Sequence, residues 1–72
     1  MGRRIRIRGE TQEHEEDKTI QQLKHEVGWP KNDVVVYDDG EGTVILSDYD
    51  HVKDIPEDAT ASSQPAEGAA FG

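Results

Sequence analysis

The sequence predicts an α+β domain in which one helix lies on a sheet of four or five strands. Three observations predict it. Residues 4–8 alternate strictly between Arg and Ile, which is the period of a half-buried strand. Residues 20–27 carry apolar side chains at helical spacing. Two apolar runs, residues 33–37 and 43–46, flank a turn rich in Asp and Gly, as in a hairpin.

The first strand is expected to turn Ile5 and Ile7 inward and its arginines outward. Residues 11–18 follow, and they offer no apolar face to bury. This segment is therefore either a short second strand at the sheet edge or a loop. Glutamates facing the arginines of the first strand would pair across the ladder, which slightly favours the strand.

The helix has clear start and stop signals. Residues 19–22 (Thr-Ile-Gln-Gln) form a capping-box pattern with Thr19 as the N-cap. Apolar residues then recur on one helical face, at Ile20, Leu23 and Val27. Gly28 ends the helix, and Pro30 lies just beyond it. A helix this short is marginal by itself, so we expect it to lie on the sheet, with Trp29 closing one end of the core.

The end of the chain is expected to complete the sheet. Ser47 and Asp50 suit a single capped turn after the second hairpin strand, and Tyr49 in this turn is expected to bury its ring. Residues 59–64 predict a last strand that pairs with the first. Residues 65–72 are rich in Pro, Ala and Gly and are typical of a disordered tail. The predicted core is apolar throughout and comprises Ile5, Ile7, Ile20, Leu23, Val27, Trp29, Val34, Val36, Val44, Leu46, Tyr49, Val52 and Ile55.

Composition restricts the function. The chain has 72 residues and a net charge of −8; residues 1–8 hold all four arginines, and the other 64 hold 16 acids against four lysines. Nucleic acid would be repelled by most of this surface. The acid excess fits either adaptation to high salt, which we favour because the excess runs through the folded part, or an ordinary acidic protein. With no secretory signal and no apolar run of membrane-spanning length, we expect a cytoplasmic monomer without a membrane partner.

No catalytic or metal-binding pattern is found in the sequence. There is no cysteine, and no two histidines share the spacing of a metal site; they are His14, His25 and His51. The acids of the hairpin turn do not have calcium-loop spacing, and no serine has a recognisable His and acid arrangement. We therefore expect no enzyme activity, no cofactor and no metal.

Several parts of the chain, taken in order, resemble the ubiquitin-like β-grasp family. They are Thr-Ile-x-x-Leu-Lys at residues 19–24, a Pro after the helix, two strands, and Leu-Ser-Asp-Tyr at residues 46–49. The acidic composition is similar to that of small archaeal modifiers from halophiles. The resemblance implies a β-grasp fold, a mixed sheet of four or five strands packed on one main helix, over residues 1–64, followed by a tail at 65–72.

The tail bears on how such a protein would work. Family members that are conjugated to other proteins or that carry sulfur end in Gly-Gly, whose carboxylate is adenylated. This chain ends in Ala-Ala-Phe-Gly, so Gly72 is the candidate conjugation terminus, but the ring of Phe71 should obstruct the activating enzyme's channel. We therefore favour non-covalent binding of other proteins. The alternative is a covalent modifier or sulfur carrier, and a third reading is a structural module within an assembly.

Family members often bind partners through an apolar patch on the outer face of the sheet. If Val34 and Val36 point inward, three apolar residues are expected to point outward, at Val35, Tyr37 and Ile45. The arginines of the first strand would rim this patch, at Arg4, Arg6 and Arg8. Exposed apolar residues grouped with Arg are typical of interaction sites. The alternative is that these residues are merely good strand formers on a solvated face.

Overall fold

The computed structural model describes residues 2–66 and shows one α-helix on a five-stranded mixed sheet. The elements in chain order are β1 (Gly2–Ile7), β2 (Glu10–Glu15), α1 (Ile20–Val27), β3 (Asp33–Asp38), β4 (Thr43–Leu46), a short 3-10 helix (Val52–Asp54) and β5 (Thr60–Pro65). The spatial order of the strands is β2-β1-β5-β3-β4. Strands β1 and β5 are parallel, and the other neighbours are antiparallel. The predicted α+β class is therefore confirmed.

The capping signals of α1 are confirmed. The Gln22 amide donates to Thr19 Oγ1 at 3.2 Å, and the Thr19 amide donates to Gln22 Oε1 at 3.0 Å. Gly28 adopts the left-handed conformation at φ 80°, which glycine enters without steric cost. Arg8 Nη1 donates to the carbonyl of Val27 at 3.1 Å. Both ends of this short helix are thus satisfied by residues that the sequence places there.

Residues 10–15 form the edge strand β2, so the strand interpretation of this segment is confirmed and the loop is wrong. Glu13 lies opposite Arg4 in the β1–β2 register. Arg4 does not form the expected ion pair with the glutamate across the ladder. Its guanidinium group contacts Glu57 and Asp58 instead. The strand is held by its backbone ladder, and its acidic side chains remain exposed.

The core lies between α1 and one face of the sheet. Its buried members are Ile5, Ile7, Ile20, Leu23, Trp29, Val35, Leu46, Val52, Ile55 and Ala61, with Val27, Tyr37 and Ala59 packed against them. Trp29 is 9% exposed and belongs to this cluster, as predicted. Two sheet residues of the predicted core, Val34 and Val36, are absent from it, and Val44 is only partly buried.

The predicted facing of β3 is wrong by one residue. Val35 is fully buried in the core, and Tyr37 packs against the same cluster, so Val34 and Val36 lie on the opposite face. Successive side chains of a strand point to opposite faces, and a one-residue shift exchanges the two sets. The run Val-Val-Val-Tyr is apolar at every position, so it contains no alternation that could set the facing.

The turn after β4 has the predicted cap but not the predicted core residue. The Ser47 amide donates to Asp50 Oδ2 at 2.8 Å, and the Asp50 amide donates to the Ser47 carbonyl at 3.1 Å. Tyr49 is 86% exposed, so its expected burial is wrong. The aspartates on either side of it, Asp48 and Asp50, are engaged within the fold, which leaves the ring on the outside of the turn.

The last strand, β5, lies between β1 and β3, and it extends to Pro65, one residue beyond its predicted end. Its predicted pairing with the first strand is confirmed, in parallel orientation. Phe71 and Gly72 lie outside the described residues. Within residues 2–66, no helix has the length and apolar character needed to cross a membrane.

Candidate functional site

The face of the sheet opposite α1, here called the outer face, is not covered by any helix within residues 2–66. Cross-strand register places Ile45, Val36 and Ser62 side by side in one row across it. Thr60 and its partner Arg6 lie in the adjacent row, two residues away along β5. Ile45 is 55% exposed, whereas isoleucine is among the residue types most often found fully buried. Neighbouring Val36 is 7% exposed, so Ile45 is the prominent apolar residue on this face.

Three of the five residues of the predicted patch lie on the outer face, and two do not. Ile45, Arg4 and Arg6 are exposed there. Val35 and Tyr37 are turned to the core, so assigning them to the patch is wrong. The valines that flank Val35 take their places on the outer face, at Val34 and Val36.

The two outer-face arginines differ in their partners. Arg4 Nε lies 3.1 Å from Glu57 Oε2, and Arg4 Nη2 lies 3.4 Å from Asp58 Oδ2. Arg6 makes no ion pair with any of the residues 2–66. The Arg6 charge is therefore available to a partner. Arg6 lies three strands away from Ile45 and two residues further along the sheet, a separation of about 16 Å.

A lysine on the helix side of the sheet is buried, and the sequence analysis did not single it out. Lys24 is 2% exposed. Its Nζ donates to the carbonyls of Lys31 and Asp33, both at 2.7 Å, and lies 2.6 Å from Asp48 Oδ1. The three donors of the ammonium group are matched by three oxygen atoms. A modifying enzyme could not reach this amine in the folded state.

The helical spacing of the apolar residues in α1 would have predicted that Lys24 is buried. Lys24 lies four positions after Ile20 and directly follows Leu23, so it falls within the buried stripe of α1. A charged residue on a buried stripe needs partners. The carbonyl partners at residues 31 and 33 follow from loop geometry, which no local pattern specifies.

A second polar cluster lies where β2 meets α1. Lys18 Nζ is 2.5 Å from Glu26 Oε1 and 3.4 Å from His14 Nδ1, and His14 Nε2 is 2.9 Å from Gln12 Oε1. Burial lowers the pKa of His14, and the nearby Lys18 charge lowers it further, against the opposing effect of Glu26. The hydrogen bond from Lys18 lowers the pKa of Glu26.

An open groove of about 570 Å³ runs beside α1, between His25, Trp29 and Lys31. Most of the side chains that line it are polar and exposed, and Trp29, which is 9% exposed, is the apolar one among them. Among residues 2–66, no three His, Asp or Glu side chains are grouped to hold a metal ion. The histidines His14, His25 and His51 remain in separate elements.

The chain has no match among known protein families, curated proteins or solved structures.

Proposed function

We propose that this chain is a ubiquitin-like β-grasp protein that acts by non-covalent binding of other proteins through its outer sheet face. The strand order supports the β-grasp assignment: the last strand, β5, lies beside and parallel to the first, β1, and one helix packs on the sheet they form with the other strands. The Leu-Ser-Asp-Tyr turn after β4 is in the expected place.

The observation that carries the binding function is the exposure of Ile45 on the outer face, which it shares with Arg6, an arginine that makes no ion pair within residues 2–66. When a partner covers an aliphatic side chain that is more than half exposed, its apolar area is removed from water. This burial favours binding by about 25 cal/mol per Å² of apolar area. Arg is enriched at the centres of protein interfaces, where it contributes hydrogen bonds as well as charge. Ile45 thus offers a partner an apolar contact on this face, and Arg6 offers it charged hydrogen bonds with a defined direction.

A photo-crosslinking experiment tests the proposal. A photoreactive amino acid replaces Ser62, in the middle of the outer face, or Gln21, an exposed position on α1. After irradiation in the native host, we expect heavier adducts from the Ser62 position. Ile45→Asp should abolish them, and the charge-reversal control Lys53→Glu should not. Adducts that form equally from Gln21, or that survive Ile45→Asp, would contradict the outer face as the binding site.

The alternative, a covalent modifier or sulfur carrier, depends on the Gly72 carboxylate and is opposed by Phe71. An N-terminally tagged chain expressed in the native host and run on a denaturing, reducing gel separates the two functions. We expect one band, both for the wild type and for a Gly72 deletion. A ladder of heavier species that disappears with the deletion would establish conjugation.

A further inference from the structure

The two edge strands of the sheet, β2 and β4, are built differently. Strand β2 reads Glu-Thr-Gln-Glu-His-Glu and carries three carboxylates along its length. Charged side chains of this kind discourage another strand from pairing with an edge. Strand β4 reads Thr-Val-Ile-Leu and has no charged residue. Only the β4 edge therefore lacks this protection.

The hydrogen-bond phase of the β3–β4 hairpin shows which β4 groups are open. The Asp39 amide donates to the Gly42 carbonyl at 3.1 Å, across the end of the hairpin. Hydrogen-bonded and non-bonded pairs alternate along an antiparallel ladder, so the next bonded pair is Tyr37 with Val44. It follows that the amides and carbonyls of Thr43 and Ile45 point away from β3, toward the free edge.

The neighbouring strand β5 supports the same phase independently. If the backbone groups of the odd-numbered β3 residues bond to β4, those of the even-numbered residues bond to β5. The pair Asp33–Pro65 is then a non-bonded pair of the β3–β5 ladder. Proline has no amide hydrogen, so it fits only at such a position. The open edge ends at Ser47, because the Ser47 amide is occupied by Asp50. Four backbone groups, those of Thr43 and Ile45, thus remain for a partner.

The charges around β4 indicate what kind of strand would pair there. Acids flank the edge at both ends: Asp38, Asp39 and Glu41 come before it and Asp50 comes after it, whereas the charge of Asp48 is already matched by Lys24. A second copy that paired antiparallel through β4 would bring the acids of one hairpin turn against Asp50 of the other copy. Like charges disfavour that arrangement, and the net charge of −8 adds to it.

We infer that the edge of β4 is a docking site for an extended segment of a partner protein, with apolar residues in its middle and Lys or Arg at its ends, which adds to the sheet as a sixth strand. Backbone hydrogen bonds to Thr43 and Ile45 give such an interaction its affinity, and alternate side-chain contacts give its selectivity. Ile45 on the outer face and the ring of Tyr49 beyond the strand offer those contacts. The inference extends the proposed function by specifying the partner's backbone conformation and charge.

The test is selection of random nonapeptides displayed on phage, carried out in parallel on the wild type and on Thr43→Pro. Proline at residue 43 removes an outward amide but leaves the β3 ladder intact, and proline is tolerated at such edge positions. Thr43→Val keeps the amide and is the matched control; circular dichroism checks that all variants fold. We expect wild-type binders with apolar centres and basic flanks. Their affinity should fall about threefold to tenfold on Thr43→Pro, the effect of one lost hydrogen bond, and be unchanged on Thr43→Val.

Amide hydrogen exchange with a selected peptide locates the contact. Binding should slow exchange of the Thr43 and Ile45 amides by at least tenfold and leave the β2 amides unchanged. Any of four results would overturn the inference: protection of the β2 amides instead, selected peptides with acidic flanks, no selected peptides, or equal affinity of the peptides for the wild type and Thr43→Pro. Sedimentation of the protein alone tests for a second copy, and dimers that protect these amides would also overturn it. Thr43→Pro leaves Ile45 and Arg6 in place. Crosslinked adducts from the Ser62 position that are lost on Ile45→Asp but persist on Thr43→Pro would therefore overturn this inference and leave the proposed function standing.

Discussion

Two lysines join α1 to opposite halves of the sheet, and their surroundings differ. Lys24 reaches the start of β3 and the turn after β4; its side chain is 3% exposed and its partners are two carbonyls and a carboxylate. Lys18 lies between β2 and α1; its side chain is 14% exposed and its partners are His14 and Glu26. The first site is held largely by backbone atoms that do not titrate, and the second by side chains that do.

This difference predicts that the two halves of the domain respond differently to salt and pH. The Lys24 ammonium is buried, and two of its three oxygen partners are backbone carbonyls, which carry no charge that salt could screen and do not titrate. A pair whose carboxylate is 48% exposed is screened by salt and altered by protonation. We therefore expect the β3–β4 half to set the stability of the domain and the β1–β2 half to set its response to conditions.

The largest effect is expected from Lys24→Ala. The substitution leaves the carbonyls of residues 31 and 33 and the Asp48 carboxylate without their donor. Each buried acceptor left without a partner costs about 1–3 kcal/mol, and the 39% exposed carboxylate costs less because water reaches it, so we expect a total loss of about 3 kcal/mol or more. Urea unfolding followed by the fluorescence of Trp29, the only Trp in the chain, measures the loss. Lys18→Ala is the matched control and should cost less than about 1 kcal/mol. If both variants lost the same free energy of unfolding, the two lysine sites would contribute equally to stability, and the proposed difference between the two halves would be wrong.

The second effect concerns the facing of β3. Val35→Ala should lower the free energy of unfolding by about 2–3 kcal/mol, because a fully buried side chain leaves a cavity in the core. Val34→Ala, the same change one residue earlier on the outer face, should cost below about 1 kcal/mol. Thermal or urea unfolding of the two variants is the measurement. A larger loss for Val34→Ala would place β3 in the opposite facing and would weaken the assignment of the outer face.

The β3 example explains how far the sequence specifies this molecule. In β1, Arg and Ile alternate, so Ile5 and Ile7 could be assigned to the core and both are fully buried. In β3 three consecutive valines satisfy either facing, and only the packing of the whole sheet decides between them. Tyr49 failed for a related reason: a turn pattern specifies hydrogen bonds of the backbone but not the direction of the ring.

The candidate surfaces divide in the same way. Ile45, Arg4 and Arg6 could be placed on the outer face because their strands have a readable pattern or position. Val35 and Tyr37 were misplaced together, since one facing decision fixes both. The open backbone edge of β4 depends on the strand order and on the hydrogen-bond phase of the hairpin, and these are properties of the assembled sheet that no local sequence pattern contains.

The third effect is a response to salt. With a net charge of −8, repulsion among surface carboxylates opposes folding. Salt screens this repulsion between charges that are more than about 10 Å apart at 0.1 M, and more than about 3 Å apart at 1 M. We expect the thermal midpoint to rise by roughly 5 °C, or about 1 kcal/mol, between dilute buffer and molar potassium chloride. The cost of Lys24→Ala should stay the same across this range. An unchanged wild-type midpoint would contradict the halophilic interpretation.

The smallest effect is a pH dependence from the β1–β2 half. Burial and the Lys18 charge hold the pKa of His14 below its ordinary value of 6.5 in the folded state. The unfolded chain therefore takes up a proton at higher pH than the folded one. The stability contributed by neutral His14 is fully present above pH 6.5 and is lost as the pH falls from 6.5 through the lower folded pKa. The Glu26 carboxyl, whose pKa is lowered by the Lys18 hydrogen bond, stays ionised in this range and contributes only to a later loss below its ordinary value of 4.5.

Urea unfolding of the wild type and of His14→Gln between pH 7.5 and 5.5 isolates this effect, because His25 and His51 are present in both proteins. We expect the stability of the wild type to decline toward pH 5.5 and that of His14→Gln to decline less. A parallel decline in the two proteins would mean that His14 does not titrate with folding. The Lys18 site would then contribute no pH dependence to the free energy of unfolding in this range, and the β1–β2 half of the domain would be expected to respond to salt alone.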